Sequence, residues 1–258
     1  MTDGDHQGEL ELDVVGAGPA FTDRLGATGA AYLVRHADTA VLLDLGQGSF
    51  PRLAGLLDPA SLDAVLISHL HPDHFIDLVA LRHYLRWGCG HPRRARVIGP
   101  KELGERMDAL HAEPGFSAGS LDVEAIVTGT TLIGSLEVTA VGVTHNGESY
   151  GFRVSNAVGP GLVYSGDCGR AEDLDPVIRP GDTLLSEVSF GPGPVPATAA
   201  HLDGPAVGQL AARTGVGQVL LTHILMGLDE DETIAAVHRA YDGPVAFVQP
   251  GDRYAIGA

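Results

Sequence analysis

The sequence predicts an α/β fold, a four-layer αββα sandwich in which two mixed β-sheets pack face to face with helices outside. Three observations lead there. Apolar strand-like runs alternate with helical stretches along most of the 258 residues. A faint internal repeat is visible: the hairpin ending at Asp44 has a counterpart ending at Asp167, and Asp63-Ala64-Val65-Leu66-Ile67-Ser68-His69 echoes Gly217-Gln218-Val219-Leu220-Leu221-Thr222-His223. Ligand-type polar residues also recur where strands end, the place where open α/β sheets put their sites. The chain therefore reads as one domain over residues 1–258 with two related ββα halves, roughly 9–140 and 141–250.

In chain order, Glu9 to Val15 alternates as a strand and runs into Gly16-Ala17-Gly18-Pro19, a turn without the spacing of a dinucleotide fingerprint. Ala31 to Val34 and Thr39 to Leu43 form a hairpin closing on Asp44, and a helix follows over Pro51 to Leu57. Leu62 to Ile67 is a buried strand, Phe75 to Trp87 one helix with a broad apolar face, Ala95 to Ile98 a short strand and Lys101 to His111 a helix. Leu121 to Val127, Leu132 to Leu136 and Val138 to Val143 are β-rich segments, the last delivering His145. A second hairpin, Tyr150 to Val154 with Gly161 to Tyr164, ends at Asp167. The strand Thr183 to Val188 leads into Phe190 and a glycine-proline loop, Gly191 to Pro196. His201 precedes the helix Pro205 to Arg213, and the strand Gly217 to Leu221 ends at His223. A helix over Glu230 to Tyr241 and a strand over Val245 to Val248 complete the chain.

The densest chemistry lies in Leu66-Ile67-Ser68-His69-Leu70-His71-Pro72-Asp73-His74, where a buried strand breaks into three histidines and a carboxylate. Proline is tolerated in a first helical turn, so these residues occupy a strand-to-helix turn. Imidazole nitrogen and carboxylate oxygen suit zinc or another first-row divalent ion. Four candidate ligands in so short a stretch are too many for one catalytic ion that must keep a position open, which suggests two ions. Asp44, at a strand end before glycines, can cap the next helix or orient a ligand histidine by hydrogen bonding.

Composition narrows the partners. Sixteen basic residues stand against 33 acidic ones, a net charge of −17, and Lys101 is the only lysine. Gripping many phosphates needs basic surface, so a long nucleic acid is a poor candidate, whereas a small substrate could be held by the ions themselves. No apolar run approaches the length of a membrane span. Met1 to His6 is acidic and lacks an apolar signal core, so the expected location is cytoplasmic. Cys89 and Cys168 are expected as free thiols, and a homodimer is compatible with the sequence.

Taken together, His69-x-His71-x-Asp73-His74 followed by a lone His145, Asp167 and His223, each at a strand end, resembles the ligand set of the metallo-β-lactamase superfamily over Gly16 to Val248. The resemblance implies the metallo-β-lactamase fold. It implies that His69, His71 and His145 hold one divalent ion, that Asp73, His74 and His223 hold another, that Asp167 bridges them and that Asp44 supports the ligands. Zinc is the first expectation, with manganese or iron open to the same donors. The implied chemistry is hydrolysis by a hydroxide shared between the ions and aimed by Asp73.

Asp167 points away from the β-lactamases proper, which lack an equivalent. Glu187 at a strand end and His201 before a helix resemble the pair in ribonuclease Z-like phosphodiesterases, where the histidine acts as general acid and the glutamate orients it. Between His145 and Asp167 there is room for a hairpin but not for that branch's tRNA-gripping arm, and the residues after His201 depart from its usual His-Ser-Thr. The expected substrate is a small phosphodiester, a cyclic nucleotide among them. A carboxylic ester, thioester or lactone hydrolase on the same ions stays open, as does a metal-stabilised binding protein without turnover. Phe190, Gly191 to Pro196, Tyr84, Trp87 and Met226 are candidates for a pocket rim. His6, His36, His83, His91, His111 and His238 are expected on the surface or on helix faces.

Overall fold

A computed structural model describes residues 8–156 and 158–257; His6 and the acidic start of the chain lie outside the described residues. The first sheet holds β1 (Leu10–Gly16), β2 (Ala31–His36), β3 (Thr39–Leu43), β4 (Ala64–Leu66), β5 (Ala95–Gly99) and β6 (Leu121–Ala125) in that order, with β14 (Arg253–Ile256) outside β1. The second holds β7 (Gly129–Ile133), β8 (Leu136–Gly142), β9 (Tyr150–Ser155), β10 (Leu162–Tyr164), β11 (Thr183–Glu187), β12 (Gln218–Thr222) and β13 (Val245–Phe247), also side by side in sequence order. Each sheet is mixed in the same way. Antiparallel pairing through β1-β2-β3 and β8-β9-β10 gives way to parallel pairing from β3 to β6 and from β10 to β13.

Strand residues alternate between two apolar environments, which is why the strands read as continuous apolar runs. Tyr32, Val34, Val41, Leu43 and Leu66 meet Phe152, Tyr164, Leu185 and Leu220 between the sheets, where the Tyr32 and Tyr164 rings lie 5.0 Å apart. Leu33, Leu42 and Val65 point the other way, onto Leu53 of α1 (Phe50–Leu56), Phe75 of α2 (Pro72–Phe75), Leu78 and Leu81 of α3 (Leu78–His83) and Met107 of α4 (Leu103–His111). Val163, Leu184 and Val219 pack on Val207 and Leu210 of α5 (Gly204–Thr214) and Val237 of α6 (Glu230–Val237). The order helices–sheet–sheet–helices is the expected sandwich, and each such buried aliphatic side chain contributes about 1.5–3 kcal/mol.

Four details differ from the sequence reading. Phe75 to Trp87 is not one helix: the chain passes through α2 and α3 into a π-helical turn, Tyr84–Gly88. The break follows from tertiary bonds, since the Asp77 amide donates to Leu45 and the Asp77 carboxylate accepts from the Phe50 amide. Leu132 to Leu136 is not a strand but straddles the turn between β7 and β8, with Gly134 in the left-handed region at φ 55°. Strand β14 was not expected; it is short and gains its register by antiparallel pairing to β1. Finally, Asp63–His69 and Gly217–His223 belong to β4 and β12, which occupy different places in their sheets. The strand in the position of β4 is β11, which ends on Glu187, so the echo reflects what any buried parallel strand ending on a polar pair looks like. Among the described residues no helix is long and apolar enough to cross a membrane.

Candidate metal centre

The parallel registers bring the ligand types to one edge. β3 and β4 pair Leu43 with Leu66, so Asp44 and Ser68 emerge side by side, and the Ser68 amide donates to Asp44 Oδ1 at 2.6 Å. In the second sheet Glu187 is opposite Thr222, which sets His223 one residue beyond. Asp44 and His223 both take left-handed backbone, φ 59° in each, a conformation uncommon outside glycine and concentrated at functional sites. Gly46 is needed for the same assembly, because a Cβ there would fall on the Asp73 carbonyl oxygen.

His69, His71 and His145 form one group. His69 Nε2 lies 3.0 Å from His71 Nδ1, which lies 3.2 Å from His145 Nε2. Oδ2 of Asp167 faces this group, 3.5 Å from His69 Nε2 and 3.6 Å from His145 Nε2. Asp73, His74 and His223 form a second. Nε2 of His74 and of His223 are 3.3 Å apart, and Asp73 Oδ2 is 3.1 Å from His223 Nε2. The other oxygen of Asp167, Oδ1, faces this group at 3.3 Å from His74 and 3.6 Å from His223. One carboxylate therefore stands between the two clusters and offers an oxygen to each.

The outward ring nitrogens explain why the inward ones carry lone pairs. Ser68 donates its hydroxyl hydrogen to Asp44 and so accepts from His69 Nδ1 at 3.0 Å. His74 Nδ1 donates to Asp44 Oδ2 at 2.7 Å, His145 Nδ1 to the Ala200 carbonyl at 2.7 Å and His223 Nδ1 to Ser189 Oγ at 3.0 Å. His71 differs, since its outer Nε2 lies 3.4 Å from the donor nitrogen Nδ2 of Asn146. With their protons directed outward, His69, His74, His145 and His223 aim their Nε2 lone pairs inward, which only a cation or added protons can stabilise. Oδ1 of Asp73 and Oδ1 of Asp167 are buried without a hydrogen-bond partner, although such atoms are ordinarily paired. Both features fit divalent metal ions held by nitrogen and oxygen donors.

Charge at the site follows the same division. Burial opposes the His74 cation, but Asp167 and Asp44 outweigh it and hold its pKa well above the usual histidine value. His223 is raised too, Asp167 and Asp73 overcoming burial. Burial, reinforced by neighbouring imidazoles, pushes His69 well below that value and lowers His71. Despite burial, His223 and His74 keep Asp167 well below the usual carboxylate range.

Glu187 and His201 meet beside Asp167. His201 Nδ1 is 3.0 Å from Glu187 Oε1 and 3.9 Å from Asp167 Oδ2, and its side chain is 21 % exposed while Glu187 is buried. Burial disfavours the His201 cation, yet the hydrogen bond and charge of Glu187, aided by Asp167, raise its pKa. Glu187 does not look like a further metal ligand. Its Oε1 also accepts from the Cys168 and Leu202 amides, and its Oε2 from the Ser189 amide and hydroxyl, so its lone pairs are committed.

Comparison with known proteins gives the family. A family model described as the beta-lactamase superfamily domain matches residues 40–224. The chain belongs to that superfamily. Among its relatives, the uncharacterised protein ML1173 of Mycobacterium leprae is 35% identical over 239 residues, covering 89% of this chain and 83% of the relative. The crystal structure of the metallo-beta-lactamase fold protein YhfI from Bacillus subtilis superposes with a TM-score of 0.85 at 22% identity, covering 95% of this chain and 99% of that one. The short form of human tRNase Z superposes with a TM-score of 0.71 at 17% identity over 95% and 99%. The metallo-β-lactamase fold implied by the sequence is thus the fold observed.

All ten residues singled out from the sequence come together at this edge. Of the expected rim, Phe190 lies 6.0 Å ring to ring from His201. Tyr84 instead donates to Asp58, and Trp87 stacks with Arg86. Cys89 and Cys168 are free, and burial pushes the Cys168 thiol up to about 12. Sequence reasoning gave no role to Ser68, Tyr164 or Ser189. Ser68 directly precedes His69 and could have been suspected; nothing local marks Tyr164, whose hydroxyl reaches Asp44 from the other sheet at 2.7 Å.

Proposed function

We propose that this metal-dependent hydrolase is a dinuclear phosphodiesterase acting on a small phosphodiester, a cyclic nucleotide among them. His69, His71 and His145 would hold one ion, Asp73, His74 and His223 the other, and Asp167 both. The nitrogen-rich donor set favours zinc, with manganese or iron as alternatives. Bound ions would supply an activated water and stabilise the charge developing at the attacked centre. YhfI is named a probable metallo-hydrolase, and it is 24% identical over an alignment of 245 residues that covers 94% of this chain.

The observation that carries the choice of a phosphodiester is His201. A phosphodiester releases an alkoxide, a poor leaving group that must be protonated as it departs. His201 is partly exposed beside the ligands and is held by Glu187, which outweighs burial and raises its pKa; this favours the protonated ring that can donate that proton. A thioester, which releases a thiolate, has less need of it. Its Nδ1 lies 3.9 Å from Asp167 Oδ2, and Glu187 holds the His201 ring at 3.0 Å.

Long nucleic acid fits poorly. The net charge of −17 repels a polyphosphate, and the described residues between His145 and Asp167 form the β9–β10 hairpin alone. The test is a hydrolysis panel of bis(p-nitrophenyl) phosphate, cyclic nucleotides, thioesters and lactones, with metal quantified in each sample. Turnover of the phosphodiesters is expected. Turnover confined to carboxylic substrates, unaffected by His201→Ala, would overturn the reading.

A further inference from the structure

We infer that Ser189 is a positioning residue that joins the second ligand group to the Glu187–His201 pair; the inference rests on the two-ion reading above. Ser189 is fully buried, and its Oγ lies 2.6 Å from Glu187 Oε2, 3.0 Å from His223 Nδ1 and 3.1 Å from His201 Nδ1. A hydroxyl has one hydrogen and two acceptor lone pairs, and a carboxylate can only accept. The short contact to Glu187 therefore takes the hydrogen, as charge-assisted hydrogen bonds are the shorter ones. What remains on Oγ can only accept.

Two consequences follow from that single hydrogen. His223 must present Nδ1–H to Ser189, which leaves the Nε2 lone pair turned to Asp73 and His74 and ready for a cation. His201 must also present Nδ1–H, shared between Glu187 Oε1 and Ser189 Oγ, which turns its Nε2 away from Glu187. His69, His74 and His145 present Nδ1 to Ser68, Asp44 and Ala200, and His71 meets Asn146 Nδ2, so among the ligand histidines only His223 depends on this hydroxyl. Ser189 is itself held by the hydrogen bond its backbone amide donates to Glu187 Oε2 and by the Leu225 amide donating to its carbonyl. The hub follows from where β11 ends, because Glu187 is the last strand residue and Ser189, in the turn two residues on, donates its amide hydrogen back to the Glu187 carboxylate.

Outer hydrogen-bond partners of metal ligands are typically worth about 10–100-fold in metal affinity. Ser189→Ala should weaken one of two bound ions by about that factor in chelator competition, leaving the other at wild-type affinity, and should alter the absorption of only one Co2+ in the cobalt-loaded protein. Ser189→Thr, which restores a hydroxyl, should recover much of the loss. Ser189→Cys, nearly the same size but a poor acceptor, should behave like Ser189→Ala and guards against packing loss as the cause, with melting of the metal-free variants as the control. Two ions retained at unchanged affinity in Ser189→Ala and Ser189→Cys, or both ions weakened equally, would overturn the inference. Wild-type protein that binds no ion would instead defeat the underlying two-ion reading.

Discussion

Oδ2 of Asp44 lies 2.7 Å from His74 Nδ1, and the same oxygen accepts the Tyr164 hydroxyl at 2.7 Å. One carboxylate in the first sheet thus ties a ligand histidine to a tyrosine from the second, with Ser68 filling the other positions around it. Asp44→Asn keeps a residue type tolerant of left-handed backbone but exchanges one acceptor oxygen for a donor amide. It is expected to cost about 1–3 kcal/mol in urea unfolding and to weaken the ion at His74 by about 10–100-fold in chelator titration.

Removal of His201 should show itself through the leaving group. His201→Ala is expected to lower turnover of a cyclic nucleotide by about 10²–10⁴-fold. Bis(p-nitrophenyl) phosphate, whose leaving group needs little protonation, should be affected far less, and metal content should not change. An equal loss on both substrates would mean that His201 acts on binding or on the ions instead.

Protons and ions compete at His74 and His223. Both have raised pKa values in the ion-free protein, so the stability they confer is fully present below the unfolded value of 6.5 and is lost as pH rises through their folded values. Ions need these rings neutral, so affinity rises over the same interval. The difference in melting temperature between metal-loaded and chelator-treated protein should therefore widen as pH rises above the unfolded value of 6.5. His69 and His71, with lowered values, destabilise the ion-free fold as pH falls below 6.5 and do not oppose this trend above it. A difference that stays constant or narrows would contradict the assignment.

Far from the site, Arg153 and Asp182 form a buried pair, Nε to Oδ2 2.7 Å and Nη2 to Oδ1 2.9 Å, with Asp182 also accepting from the amides of Gly161 and Arg179. Arg153→Ala strands a buried carboxylate and is expected to cost about 3–5 kcal/mol in urea unfolding. Metal stoichiometry at low temperature should be unchanged, which separates stability from site chemistry.

The site was more legible in the sequence than the fold's details. His69, His71, Asp73 and His74 announce themselves because four donors follow a buried strand, and His145, Asp167 and His223 because each ends an apolar run. The residues that hold them in place are spread over the other sheet, and a hydrogen bond such as Tyr164 to Asp44 leaves no local pattern. The break after Phe75 was hidden for a related reason: Leu78, Leu81 and Leu85 keep helical spacing, and only contacts from Leu45 and Phe50 interrupt the backbone. Strand β14 lacks a long apolar run, since its partner β1 supplies the register.

The central claim is that two ions bind where Asp167 divides the ligand groups. Elemental analysis of the purified protein, repeated after chelation and reloading, tests it most directly. Two divalent ions per chain are expected, falling to no more than one stably held in His223→Ala. Reloaded protein that retains no stoichiometric metal would contradict it.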